Sequence, residues 1–449
     1  TLLPNGDVSF VAASTINETN ITEITRSSSD VPTIANANDS MPFVYVGNDT
    51  YVTAWKDHNY TMYIGTATMS NDNLVWNTNG FLSWGPYNGA EPLAIEYNTV
   101  SGIGALVYRQ GWQSTSAYLK PFSVNGTQVT TTSPNGYNVA LPSETELLAS
   151  TKIYTSVSMD ATDDGKIVGF YGGQFGQNNN LGLFVMDTDG SKSHQDLMSG
   201  NVNPGRETEI IYNSAHDKIN IVYIPAGDGV NHLTMDWNNG APAFTQANID
   251  LGMSADHNAL ILGSGFNSVT GESLLLWKTS GSYQIYALLP GGSTGLRNIV
   301  SMIVYEPLGQ RFWINSDGTY SIRHQEGDGT PNVLSSGWVT MTAGSNTPVS
   351  VYYTSLPPIN APGGIDKYEL KVGVNPNGGL VAQFYVQDNN GNNSAVASSK
   401  VETIIESVIV PSASNFVGIS NATVTSATAE IVIAGGLSTN HTGLSVGSS

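Results

Sequence analysis

The chain has 449 residues, 40% of them hydrophobic and 12% charged, with 16 basic against 36 acidic side chains and no cysteine. Such a length and apolar content suffice for a large core without metals or disulfides. A net charge of −20 repels nucleic-acid backbones and anionic lipid surfaces, and the lack of cysteine excludes thiolate, redox and zinc-finger chemistry.

No stretch reaches the roughly 18 apolar residues that cross a bilayer, and no basic-then-apolar leader opens the sequence. The expectation is a soluble chain with no membrane insertion and no nucleic-acid partner.

Residues 1–40 hold one strand candidate, Asp7-Val8-Ser9-Phe10-Val11, followed by a polar stretch. Residues 41–409 repeat a single theme: a short apolar run, a turn of Asn, Asp, Gly or Pro, and a second strand ending in an aromatic. Those second strands are Thr50–Trp55, Gly104–Tyr108, Lys166–Tyr171, Lys218–Tyr223, Glu272–Trp277, Gln310–Trp313 and Gly379–Tyr385. From Trp55 to Tyr385 there are six intervals of about 55 residues, near the roughly 40–50 residues of a propeller blade. The spacing is uneven around Trp313, which implies an insertion or a miscount by one blade there.

A partner strand follows each signature pair: Met62–Ala67, Ala117–Leu119, Gly182–Met186, Leu233–Trp237, Tyr283–Tyr286, Tyr320–Ile322 and Ala395–Ser398. Val168 and Phe170, Ile219 and Ile221, and Leu274 and Leu276 have the period-2 spacing of a buried strand face. A lone hairpin leaves such faces wet, whereas blades stacked in a closed ring bury them and protect the sheet edges. The expected fold is all-β, a β-propeller of about seven blades, with residues 1–40 supplying a strand that completes the last blade. Ser143–Ser150 reads as the one helical turn, because Ser143 and Glu146 have the spacing of a capping box. After Pro411 the texture changes to small residues and alternating strands, so residues 410–449 read as a separate small β module.

The repeat Ile211-Tyr212-Asn213-Ser214-Ala215-His216-Asp217-Lys218-Ile219-Asn220-Ile221-Val222-Tyr223 resembles the blades of propeller-type tail-fibre and adhesin proteins of marine bacteriophages. Asn415-Phe416-Val417-Gly418-Ile419, Gly435-Gly436-Leu437-Ser438 and Gly443-Leu444 resemble the short module that follows such propellers. That module usually continues into an aromatic strand, whereas this sequence stops at Ser449. The resemblance implies a structural virion protein at the virion surface, extracellular, in contact with other virion proteins. It also implies a homo-oligomer, often a trimer, that recognises a host surface glycan or protein. It transfers no catalytic motif.

Loops that follow equivalent strands emerge on one face of a ring. Here they carry His58, Tyr60, Arg109, Trp112, Gln113, Phe175, Asn178 and His232, which are the candidate ligand-binding residues. An indole gives a flat apolar platform, and arginine and amides give directional hydrogen bonds. The competing use of Trp112 and Phe175 is packing over the blades.

A sialidase-like glycoside hydrolase is one alternative, drawing on Arg109, Arg206 and Arg311. The expected Ser-x-Asp-x-Gly-x-x-Trp turn is absent, however, and no catalytic residue is assigned. A purely architectural capsid or appendage decoration protein is the other. No cofactor is expected. Asp160-Ala161-Thr162-Asp163-Asp164-Gly165 begins like a calcium loop but offers Tyr171 where the bidentate glutamate belongs, so it reads as a hairpin turn, with structural calcium left as the alternative. The seven histidines show no metal-ligand spacing.

Overall fold

In the computed structural model the described residues are the strands named below with their tight turns, and side chains are described at positions within 42–275 and at Ile314. The chain forms β1 (Thr33–Ile34) and then builds sheets one after another along the sequence. Blade 1 is β2 (Phe43–Gly47), β3 (Thr50–Lys56), β4 (Met62–Ser70), β5 (Asn73–Trp76) and β6 (Leu82–Trp84). Blade 2 is β7 (Glu91–Asn98), β8 (Ile103–Gln110), β9 (Ser116–Asn125), β10 (Gln128–Thr130) and β11 (Thr145–Leu148). Blade 3 is β12 (Val157–Ala161), β13 (Ile167–Phe175), β14 (Asn178–Met186) and β15 (Lys192–Ser199). Blade 4 is β16 (Thr208–Asn213), β17 (Lys218–Tyr223), β18 (Asn231–Asn238), β19 (Ala241–Ala243) and β20 (Ile249–Asp250). Blade 5 is β21 (Leu260–Asn267), β22 (Glu272–Thr279), β23 (Ser282–Leu288) and β24 (Thr294–Asn298). Blade 6 is β25 (Phe312–Ile314), β26 (Tyr320–Gly327), β27 (Leu334–Met341) and β28 (Pro348–Ser355). Blade 7 is β29 (Ile365–Asn375), β30 (Gly379–Asp388) and β31 (Ser394–Glu402), with β1 as its fourth strand.

Each sheet is antiparallel and follows chain order. The first strands β2, β7, β12, β16, β21 and β25 pack side by side in succession, and β29 returns to β2. β1 pairs with β31 through Thr33↔Ala395 and Ile34↔Ser394, so an early segment of the chain completes the last sheet. This is a seven-bladed β-propeller. Asp7–Val11, the strand expected in that role, lies outside the described residues.

The second strands are apolar on both faces because each blade is sandwiched between two others. In β13, Ile167 and Tyr171 pack with Ala105, Val107 and Leu119 of blade 2. The alternate residues Val168 and Phe170 pack with Ile210, Ile219 and Ile221 of blade 4. Space for the rings comes from glycines directly opposite them across the ladder: Gly104 faces Phe122, Gly169 faces Phe184 and Gly182 faces Tyr171. A Cβ on Gly169 would fall 2.1 Å from the Phe184 ring. Blade 1 opens with a tight turn at Asn48 and Asp49, both at positive φ, the pairing that a two-residue hairpin loop of matching twist requires.

One expectation needs correcting. Ser143–Ser150 does not make a helical turn: Thr145–Leu148 is β11, paired with Ala117–Leu119 of β9, and Leu147 is buried. The capping-box spacing is outweighed by the open edge of β9, which offers backbone partners and an apolar pocket. No α-helix occurs among the described residues. In blade 6, Phe312–Ile314 takes in Phe312 and Trp313 of the expected strand Gln310–Trp313, and residues 299–311 before it lie outside the described residues.

The chain divides into two compact units. Thr19–Glu402 contains the ring. Thr1–Glu18 and Thr403–Ser449 form the second unit, whose described part is the antiparallel pair β32 (Ile419–Ser420) and β33 (Ile431–Val432).

Candidate functional site

Among the described residues, the outer strand of three blades is split. In blades 1, 2 and 4, β5, β10 and β19 cover one half of the third strand, while β6, β11 and β20 pair with its beginning. The second pieces therefore lie at the rim where second strand passes to third.

At that rim, between blades 1 and 2, β6 delivers Trp84 opposite Met62, the first residue of β4. Across the gap, Tyr108 and Tyr118 stand opposite each other on β8 and β9 with ring centroids 5.6 Å apart, and Trp84 meets Tyr108 edge-on at 5.6 Å. Tyr108 is buried, whereas Trp84 and Tyr118 are half-buried and flank it. The Lys120 Nζ lies 4.9 Å from the Trp84 ring centroid and 3.7 Å from the Glu144 Oε2. The Tyr108 hydroxyl donates to that same oxygen at 2.6 Å. The Trp84 Nε1 is buried without a hydrogen-bond partner among the described residues. Trp84 and Tyr118 are both only partly buried and lie beside a carboxylate acceptor, the pairing of apolar surface and directional polar group that sugar recognition uses.

Of the residues singled out in the sequence, His58, Tyr60, Trp112 and Gln113 lie outside the described residues. Arg109 does lie at this rim, near the end of β8, where Glu91 of β7 stands opposite and ion-pairs with it. Successive residues alternate faces, so Arg109 leaves blade 2 on the side away from Tyr108 and Trp84. Phe175 and Asn178 are not in a long loop. Strands β13 and β14 continue to them, and they pair with each other around residues 176–177, because the ladder gains hydrogen bonds at each added residue.

His232 is a correction. It belongs to β18, fully buried, and its Nε2 lies 2.9 Å from the Asn220 Oδ1 and 3.0 Å from the Thr234 Oγ1. Burial pushes its pKa down to about 4, so it is neutral at ordinary pH. Its register opposite Val222 puts it inside the blade, where a solvated ligand does not reach.

Sequence reasoning passed over Trp84, Tyr118, Lys120 and Glu144. The one local signal was an aromatic just before a Gly85-Pro86 turn; the partners arrive from another blade.

A second set of polar groups lies on the inner strands. The Asp160 Oδ2 accepts from the Tyr212 N–H at 2.7 Å, and the Ser158 Oγ from the Ile210 N–H at 3.1 Å. Side chains of β12 thereby satisfy the free edge of β16. The Glu209 Oε2 accepts from Ser158 and Ser264 of the two flanking blades, at 3.0 and 2.9 Å. Burial raises the Glu96 pKa to about 8, with the Asp160 charge adding to it. Burial likewise raises Asp160 to about 7, partly offset by its bonds from Tyr212 and Ala161 and reinforced by Glu209. Burial also raises the pKa of Glu209. Strands β2, β7, β12, β16 and β21 contain no lysine, arginine or histidine to compensate these charges.

Asp163, Asp164 and Gly165 form the β12–β13 turn, and the Gly165 N–H donates to the Thr162 carbonyl at 3.3 Å. Among the described residues no group of three or more His, Cys, Asp or Glu is arranged to hold a metal ion.

No protein-family model matches the chain, and no curated protein matches it. Among solved structures, the chain is similar to a six-bladed β-propeller lectin with fucose recognition from Aleuria aurantia, at 12% identity and TM-score 0.42, covering 74% of this chain and 99% of that one. It is similar to AofleA from Arthrobotrys oligospora, at 11% identity and TM-score 0.43, covering 76% and 97%. It is also similar to the polysaccharide lyase Uly1, at 10% identity and TM-score 0.47, covering 82% and 90%.

Proposed function

We propose that this propeller is a non-catalytic recognition protein that binds a cell-surface glycan at the rim between blades 1 and 2. The observation that carries the reading is the pair of partly buried aromatics, Trp84 and Tyr118, flanking buried Tyr108 beside the Glu144 carboxylate. Recognition by stacking needs a rigid platform, and both rings are anchored on paired strands. The test is a glycan array with the folded chain and with Trp84→Ala and Tyr118→Ala. Loss of binding by both variants with unchanged circular dichroism is expected, and undiminished binding rejects the site.

Hydrolysis fits the polar groups less well. Both Asp160 oxygens accept backbone N–H groups and the Glu209 Oε2 accepts two serine hydroxyls, so these carboxylates serve as ties between strands. Arg109 is paired to Glu91. Turnover of a polysaccharide panel would reverse this assignment.

The repeat pattern's resemblance to phage adhesins supports display on a virion appendage as a homo-oligomer, a trimer in the simplest case. Cryo-electron microscopy of the native particle tests the location and the copy number together.

A further inference from the structure

We infer that the seam between blades 4 and 5 encloses internal water, bound as a hydrogen-bond donor to the His232 Nδ1 and to the Asn213 Oδ1. Strand β17 turns two unlike faces to its neighbours. Ile219 and Ile221 join Val168 and Phe170 of blade 3 in an apolar cluster. Asn220, between them in sequence, faces blade 5 instead, and its Nδ2 donates to the Ser273 Oγ at 3.0 Å. Asn213, Asn220, His232, Thr234 and Ser273 are each at most 1% exposed, so this polar layer is sealed from bulk solvent.

Counting protons fixes what the layer lacks. The Asn220 amide nitrogen is directed at Ser273, so its Oδ1 is the acceptor that meets the Thr234 hydroxyl at 3.1 Å and the His232 Nε2 at 2.9 Å. Burial keeps the imidazole neutral, with a single proton, and facing that oxygen the proton sits on Nε2. Nδ1 is therefore a bare acceptor, buried without a hydrogen-bond partner among the described residues. Asn213 directs its Nδ2 at the Gly271 carbonyl and the Ser273 Oγ, at 3.1 Å each, and flipping the amide would set oxygen against the carbonyl oxygen. Its Oδ1 is likewise buried and without a partner among the described residues. The Ser273 Oγ accepts from both asparagines, which leaves its own proton in need of an acceptor. Two acceptors and one donor thus remain among five side chains that carry no charge. Water matches that remainder: it accepts from Ser273 while donating to Asn213, and it donates to Nδ1 beside the Thr234 hydroxyl, which lies 3.0 Å from the other nitrogen of the ring. Buried sites of such polarity take up water, whereas apolar ones stay dry.

The experiment is a crystal structure of the unmodified chain at a resolution that orders internal waters, together with nitrogen NMR of its imidazoles at neutral pH. A water oxygen within about 3.2 Å of the His232 Nδ1 and another within the same reach of the Asn213 Oδ1 are expected, with the His232 proton on Nε2. A protein group bonded to either atom, or apolar side chains closed against it, overturns the inference. A ring protonated on Nδ1 also overturns it, because that nitrogen would then need an acceptor.

Discussion

The side-chain amide of Asn98 donates to the carbonyl oxygens of both Thr162 and Lys166, at 2.7 Å each, and so fastens the end of the blade 2 inner strand to the first hairpin turn of blade 3. Its own carbonyl oxygen accepts the Val100 N–H at 2.9 Å, which holds the Asn98 turn in shape. Two blades further on, Asn213 repeats the device, reaching the Gly271 carbonyl and the Ser273 hydroxyl of blade 5 at 3.1 Å each. Both asparagines are buried, so each turn is held by a neighbour's side chain instead of water.

Asn98→Ala removes the two buried hydrogen bonds to the Thr162 and Lys166 carbonyls, each of which keeps another donor, and the acceptor of the Val100 N–H, which should cost about 1–3 kcal/mol. Urea unfolding of the variant and of Asn213→Ala should show lower midpoints with similar slopes. A midpoint equal to that of the unmodified chain would mean that the clasp contributes nothing.

Gly169→Ala forces a methyl group into the Phe184 ring, since the ideal Cβ position lies 2.1 Å from its Cζ. Overpacking of this kind should destabilise by about 1–3 kcal/mol. Adding Phe184→Leu should recover part of the loss, because residues in direct contact couple. Additive effects in the double-mutant cycle would refute the direct contact.

Glu96 and Asp160 give the protein a stability that falls as pH rises from about 4 to about 8. Glu96 and Asp160 have folded pKa values raised to about 8 and about 7 from 4.5 and 3.8, so the unfolded chain releases their protons first. Their contribution is complete below the unfolded values and is lost as pH rises through 7 to 8. His232 acts oppositely: its depressed pKa costs stability only as pH falls from 6.5 towards 4. The range between 6.5 and 8 therefore isolates the carboxylates. Unfolding midpoints should decline across it, and Glu96→Gln or Asp160→Asn should flatten the decline. A profile as steep in both variants would disprove the assignment.

A chain shortened to begin after Ile34 lacks β1 and leaves the edge of β31 unpaired. It should unfold at lower denaturant concentration and self-associate through that edge, as size-exclusion chromatography would show. A monomer of undiminished stability would show that this strand is dispensable for closure.

Much of the ring was legible because its rules are local. A strand buried on both faces must be apolar throughout, as Ile167-Val168 and Ile219-Asn220-Ile221-Val222 nearly are, and turns such as Asn48-Asp49 need residues tolerant of positive φ. Those constraints act over a few residues and leave their mark in composition and spacing. The Thr145–Leu148 strand was misread because its deciding partner, Ala117–Leu119, is distant in sequence. His232 was misplaced because an approximate strand end put it in a loop, and only the register with Val222 shows it inside the blade.

By itself, then, the amino-acid order determined the all-β class, most of the strands and turns, and a repeat of about seven units. Tertiary structure alone decided that Trp84, Tyr118, Lys120 and Glu144 share one rim. The physical reason is that a repeat is specified by short-range burial and backbone geometry, whereas a site between blades depends on side chains meeting across chain separations that no local pattern encodes.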